Sequence, residues 1–144
     1  TQQETEECMR INAVAPALSI QFMIDLMKNS ENTPYIICVH AREGIFTLEK
    51  SPKHIHTNMA KAALHMMTRT LIEDKSLVTN SGKKFSIHGC DPGWISIDEY
   101  YESNRPFIIP PLDEIDGAAR ILYPLFKELP SSRQTRRQFD DFAY

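Results

Sequence analysis

A chain of 144 residues with 42% apolar content has room for one domain and enough hydrophobic material for a core, which excludes a disordered tail. Its formal net charge of -3 is spread along the sequence and offers no basic field for nucleic acid, so small molecules or protein chains are the expected partners. The apolar runs are only a few residues long, too short to span a bilayer. Cys8, Cys38 and Cys90 form an odd, widely spaced set, two of them inside apolar runs. That pattern reads as reduced structural thiols in an intracellular protein, cytoplasmic rather than organellar, and not as a disulfide framework. With neither a signal peptide nor an initiator Met before Thr1, the expectation is a processed or partial polypeptide.

Over residues 6–28, Met9, Ala13, Ala17, Ile20, Ile24 and Met27 recur at spacings of three and four. The spacing predicts an amphipathic helix, with acidic residues at its positive end and a kink at Pro16. A polar loop over 29–33 precedes residues 34–41, a nearly continuous apolar run of the kind found in parallel strands covered on both faces. The turn Arg42-Glu43-Gly44 and a loop to Pro52 lead to a second helix over 57–74, whose alanines and methionines permit close helix packing. Ala63, Met66, Met67 and Thr70 form a stripe on it that fits either a partner or the chain's own sheet.

After a turn at Asn80-Ser81-Gly82, residues 85–90 read as a second strand that ends at Asp91-Pro92-Gly93. A proline-bearing loop reaches Pro110-Pro111, and a third helix is predicted over 114–129. Residues 1–129 are thus read as the domain and the charged tail 130–144 as a solvated segment or a docking arm. Alternating helices and strands imply an α/β fold with a parallel sheet. Two strands are too few to close such a sheet, so something else must supply the rest, and the isolated chain is expected to expose a sheet edge and an apolar patch and to associate.

The motifs Asn12-x-x-Ala15-Pro16, Ala41-Arg42-Glu43-Gly44, His56-Thr57-Asn58-Met59-Ala60-Lys61-Ala62-Ala63 and Asp91-Pro92-Gly93-Trp94 occur in that order. Through them the chain resembles, over roughly residues 6–126, the C-terminal half of the short-chain dehydrogenase/reductase Rossmann fold, in a divergent branch. In that family Tyr is the general acid/base, Lys lowers its pKa and holds the nicotinamide ribose, Ser orients the carbonyl, and Asn keeps a helix kinked around a relay water. Carried over by position, the resemblance puts Asn12 at the Asn, Lys61 at the Lys, Ala41 at the Ser and Thr57 at the Tyr. It implies cofactor contacts at Lys61, Pro92, Gly93 and Ser96. The glycine-rich phosphate turn belongs to the family's first half, and this chain contains no G-x-G-x-x-G. NAD or NADP is therefore expected only together with an N-terminal half, and this chain alone is expected to bind neither.

Thr57 changes the chemistry. Its hydroxyl titrates far above a phenol and reaches less far, so it cannot act as an acid/base near neutral pH, a loss of about 10²–10⁴-fold. Ala41 removes a further polar contact of the oxyanion-hole type. His56 could supply an imidazole in place of the phenol, or be an exposed residue at the helix start. His54 and His56 form an H-x-H too sparse for a structural metal site. Lys61 reads equally as a ribose ligand or as a lysine facing a polar pocket, and Asn12 as a hydrogen-bonding partner for the backbone group that Pro16 leaves free. Trp94, with Tyr100 and Tyr101, could shape a pocket or belong to the core, and Arg42-Glu43 could touch a ligand or pair with each other. Two readings follow. One is an oxidoreductase-like half fold with degenerate catalytic positions and little or no turnover; the other is a non-catalytic subunit that binds another copy or a partner chain through the helix 57–74, without nucleic acid or membrane.

Overall fold

The structure is a computed structural model that describes residues 1–95 and 110–128. The tail 130–144, Ser96, Tyr100 and Tyr101 lie outside the described residues. The chain opens with helix α1 (Gln2–Met9), a π-helical turn (Arg10–Val14) and helix α2 (Ala15–Met27), joined through residues in right-handed helical conformation. The helix starts before Glu6 because Thr1 and Glu4 form a capping box, in which Thr1 Oγ1 accepts from the Glu4 backbone N–H at 3.2 Å. The irregularity expected at Pro16 takes the form of the π turn. The Ala15 N–H reaches back to the Arg10 carbonyl, and this wider turn leads directly into a proline that has no N–H to donate.

Strand β1 (Tyr35–Val39) and strand β2 (Ser86–Cys90) pair in parallel, with Tyr35 opposite Ser86 and Val39 opposite Cys90. Parallel neighbours need a crossover, and helix α3 (Ile55–Glu73) lies within it. Helix α4 (Glu114–Glu128) follows, with Pro124 inside it, an interior proline that the periodicity alone does not predict. α1, the π turn and β2 all pack against α3, whereas α4 packs on both strands. The result is a mixed α/β arrangement with a small parallel sheet flanked by helices.

Alternation along the strands builds the core. Ile36 and Cys38 are buried with Leu64 of α3, and Ile20, Met27, Met67, Phe85 and Ile87 close around them. Ala60, Leu64 and Thr68 are the buried residues of α3, spaced by four as one helix face requires. Gly44, in the turn after β1, lies so close to this helix that a Cβ on it would come within 2.6 Å of the Lys61 carbonyl carbon.

The stripe read on α3 divides. Met67 packs against the core cluster while Met66 is exposed, so charge at position 67 would damage the fold before it reported on any partner. Exposed apolar side chains lie instead on both helices: Ile11, Leu18 and Phe22 on the N-terminal helix, Met59 and Met66 on α3.

Candidate functional site

Of the residues singled out by sequence, Lys61, Ala41, Pro92 and Gly93 lie at or just beyond the C-terminal ends of the two strands, where open α/β sheets place their ligands. Lys61 lies in α3 beside the end of β1, and its Nζ donates to the Val39 carbonyl over 3.4 Å. Asn12 sits in the π turn. Its Nδ2 donates to the Cys8 carbonyl at 3.1 Å, with Cys8 Sγ at 3.8 Å. This corrects the sequence expectation, since the amide serves the carbonyl four residues upstream and not the group freed by Pro16.

Asn12 and Lys61 line the same cavity, of about 330 Å³, whose other walls are Ile11, Pro16, Ser19 and Ile20 of the N-terminal helix, Ile36 to Val39 of β1, and Leu64. Thr57, His56 and Ala41 are not among the lining residues. Thr57 and His56 are half-buried in the first turn of α3, and His54 precedes them in left-handed conformation, φ 62. Ala41 is extended, with φ -158 and ψ 153, and contributes its carbonyl, which accepts from His65 Nε2 at 3.3 Å. The structure thus brings Asn12 and Lys61 together and leaves the positions aligned with Tyr and Ser outside the cavity.

Pro92 and Gly93 follow β2 in a turn held by its own Asp91, whose Oδ1 accepts from the Gly93 N–H at 2.8 Å. Gly93 has φ 84, a conformation that favours glycine, and a Cβ there would approach Arg120 Nη1 to 2.9 Å. Arg120 Nη1 in turn donates to the Pro92 carbonyl at 3.4 Å. The turn is therefore fastened to α4. Trp94 is exposed, so it is not the core residue that one reading allowed. Arg42 and Glu43 form no ion pair among the described residues; Lys50 Nζ donates to both of their carbonyls, at 2.8 and 3.0 Å.

The arrangement that the sequence reading missed is a buried pair of imidazoles. His40 and His65 stack with ring centroids 3.9 Å apart and planes inclined by 24°. Thr68 Oγ1 donates to the Leu64 carbonyl at 2.9 Å, so its oxygen is left to accept from His40 Nε2 at 2.8 Å. A carbonyl can only accept, so His65 Nε2 also carries its proton toward Ala41. Both rings then hold the Nε2–H tautomer.

Burial, reinforced by the neighbouring His65 and Lys61, pushes the His40 pKa down from 6.5 to about 3, and burial lowers that of His65 as well. Gly89 makes room for the stack, because a Cβ there would collide with the His40 ring. The spacing signal was present in the sequence: Lys61 and His65 are one helical turn apart, beside the buried Ala60, Leu64 and Thr68. Cys38 adjoins Thr68, and burial pushes its thiol pKa up, away from nucleophilic use. No group of three His, Cys, Asp or Glu among the described residues could hold a metal.

No protein-family model matches this chain, and no solved structure matches it. The chain is similar to an uncharacterized protein of Acanthamoeba polyphaga mimivirus, with 43% identity over 128 residues. That alignment covers 86% of this chain and 27% of the viral protein, so the chain spans about a quarter of the length of the relative it matches. No helix among the described residues is long and apolar enough to cross a membrane.

Proposed function

We propose that this chain is the C-terminal half of a short-chain dehydrogenase/reductase-like dinucleotide fold whose catalytic positions have degenerated, so that it turns over little or no substrate. The observation that carries the reading is the shared cavity of Asn12 and Lys61 beside the end of β1, within a parallel strand-helix-strand unit. A lysine ammonium against the last carbonyl of a strand is free to exchange that 3.4 Å contact for a ribose hydroxyl. Thr57 supplies no phenol where the acid/base is needed, and Ala41 no hydroxyl where the carbonyl contact is needed. The phosphate end of NAD or NADP has no turn to receive it in these residues, so nucleotide binding requires the remaining length of a larger protein.

Full-length protein mixed with either reduced nicotinamide nucleotide and a panel of aldehydes and ketones is expected to oxidise none above background. Thr57→Tyr should restore little, because Ala41 remains. Nicotinamide fluorescence should still report binding, weakened roughly tenfold by Lys61→Ala, the equivalent of one charge-assisted hydrogen bond. Robust turnover abolished by His56→Ala would overturn the assignment of a degenerate site.

The exposed apolar band favours a second reading, that of a non-catalytic subunit. Phe22 is 74% exposed and Met66 63%, large apolar side chains that the N-terminal helix and α3 leave in water. Under this reading the band binds a second copy or a partner chain through the N-terminal helix and α3. Phe22→Lys together with Met66→Lys should shift sedimentation toward the monomer while leaving the thermal midpoint within a few degrees, because neither side chain belongs to the buried core cluster. An unchanged sedimentation coefficient would remove the band from any assembly.

A further inference from the structure

We infer that Ser51 is a phosphorylation site for a proline-directed protein kinase, and that the added phosphate draws Lys50 off the turn Arg42–Gly44. The sequence holds two serine or threonine residues directly followed by proline, Thr33-Pro34 and Ser51-Pro52. The fold separates them. Pro34 is buried, and its carbonyl accepts from the Ser86 N–H at 2.8 Å, so Thr33 is held against the start of the sheet. Ser51 lies between the turn and α3, where residues 45–54 form neither helix nor strand and residues 49–55 are exposed without a break. A kinase reads its substrate as an extended segment laid in a groove, which requires several consecutive residues free to leave the surface.

The neighbours of Ser51 suit such a groove. Pro52 has no N–H and a fixed φ, the properties by which a proline-selecting pocket recognises the residue after the acceptor, and the basic Lys53 follows it. Ser51 Oγ accepts from the Lys53 N–H at 3.3 Å, a contact within the loop that ties it to no helix or strand. In the transfer Ser51 Oγ loses its proton and bonds to the terminal phosphorus of a nucleoside triphosphate, and the bond from that phosphorus to its bridging oxygen breaks to release the diphosphate. The product carries a charge of about -1.5 to -2 at pH 7.

Lys50 connects this charge to the turn. Its Nζ donates to the Arg42 carbonyl at 2.8 Å and to the Glu43 carbonyl at 3.0 Å, so the residue next to Ser51 fastens the turn to the loop. Both acceptors are neutral. A phosphate on the adjacent side chain offers charged oxygens, each bond roughly twice as strong as one between neutral groups, and the ammonium exchanges the carbonyls for it. The turn that loses this anchor rests on α3, where a Cβ on Gly44 would lie 2.6 Å from the Lys61 carbonyl carbon. The Ile45 N–H donates to the Arg42 carbonyl at 3.1 Å and reports whether the turn stays closed. No nucleotide enters the readout at Ile45, so this inference can fail while the proposed nicotinamide binding stands, and the reverse.

Full-length protein is incubated with a proline-directed serine/threonine kinase and magnesium ATP, and the phosphate is located by peptide mass spectrometry. Ser51 should be modified within about tenfold of the rate for a synthetic peptide of residues 46–56, and Thr33 not at all; Pro52→Ala should slow the reaction at least tenfold in protein and peptide alike, the peptide keeping this arm informative should the variant protein not fold. Modification of the peptide but not of the protein, of Thr33 in place of Ser51, or of Pro52→Ala at the parent rate would overturn the site. Amide exchange at Ile45 should then be at least about threefold faster in the phosphorylated protein, with Cys38, inside the ladder to β2, unchanged. Lys50→Ala should reach the faster rate without phosphate and gain nothing further from it. Unaltered exchange at Ile45, or an equal acceleration by phosphate in Lys50→Ala, would sink the link between Ser51 and the turn.

Discussion

Gly44→Ala is expected to destabilise the protein by about 3 kcal/mol or more, since the added methyl must displace backbone and not a movable side chain. A Cβ at this position would lie 2.6 Å from the Lys61 carbonyl carbon, 2.7 Å from its oxygen and 2.8 Å from the Ala62 nitrogen. All three atoms belong to the middle of α3, and Ala60 next to them is completely buried, so the helix cannot yield without opening the core. Roughly 10 °C of thermal midpoint should be lost for a domain of this size. Gly82→Ala is the control. It meets no atom within 4 Å and carries only the cost of φ 82, about 1 kcal/mol. The effect also reaches the candidate site, because any outward shift of α3 withdraws Lys61 from the Val39 carbonyl. Equal unfolding curves for Gly44→Ala and the parent chain would mean that the turn, and not the helix, gives way.

The sequence made the strand-helix-strand unit legible because each part carries its own local signal. Residues 34–41 form a short apolar run bounded by polar loop and charged turn, and the structure strands Tyr35–Val39 of it; residues 57–74 carry helical spacing, and the helix is Ile55–Glu73. What periodicity cannot show is how a helix accommodates a proline. Pro16 was readable as a disturbance, but its resolution into a π turn depends on which backbone carbonyl each N–H finds.

The same limit applies to the candidate site. Lys61 and Asn12 could be singled out from residue type and motif order, yet their shared cavity exists only where the N-terminal helix, β1 and α3 come together. The stripe of Ala63, Met66, Met67 and Thr70 illustrates the converse. A spacing of three and four marks a face of a helix without saying what covers it, and here the sheet takes Met67 while Met66 remains in water. His40 is a polar residue near the end of the apolar run 34–41. Only the packing of α3 across β1 makes it half of a stack.

That stack leads to the other large expectation, a steep loss of stability in mild acid that depends on His40. In the unfolded chain an imidazole titrates near its ordinary 6.5, whereas in the folded protein burial holds His40 at about 3. Between those values the unfolded state binds the extra proton, so stability rises with pH. The contribution is fully present above pH 6.5, and it disappears progressively as pH falls toward 3. His65 is shifted in the same direction and adds to the effect, with Asp91 and the carbonyl of Ala41 opposing its shift and Lys61 and Lys50 reinforcing it.

Each pKa unit is worth about 1.4 kcal/mol and the unfolded imidazole is already half-protonated at pH 6.5, so lowering the pH from 6.5 to 4.5 should cost roughly 2 kcal/mol through His40 alone. Protonation has nowhere favourable to go. Nε2 is already committed to Thr68, and the Nδ1 side of the ring lies against Gly89, where even a methyl group would collide. Two imidazolium rings 3.9 Å apart would in addition repel.

His40→Gln tests this directly, because its amide N–H can still reach Thr68 while the side chain cannot take up a proton. Urea midpoints measured at pH 7 and at pH 4.5 should fall sharply for the parent chain and by at least 2 kcal/mol less for the variant. The comparison is a difference between two chains, so the titration of surface carboxylates common to both cancels. Parallel losses in the two proteins would show that His40 takes up its proton in the folded state at little cost, and that the stack is not what makes the fold sensitive to acid.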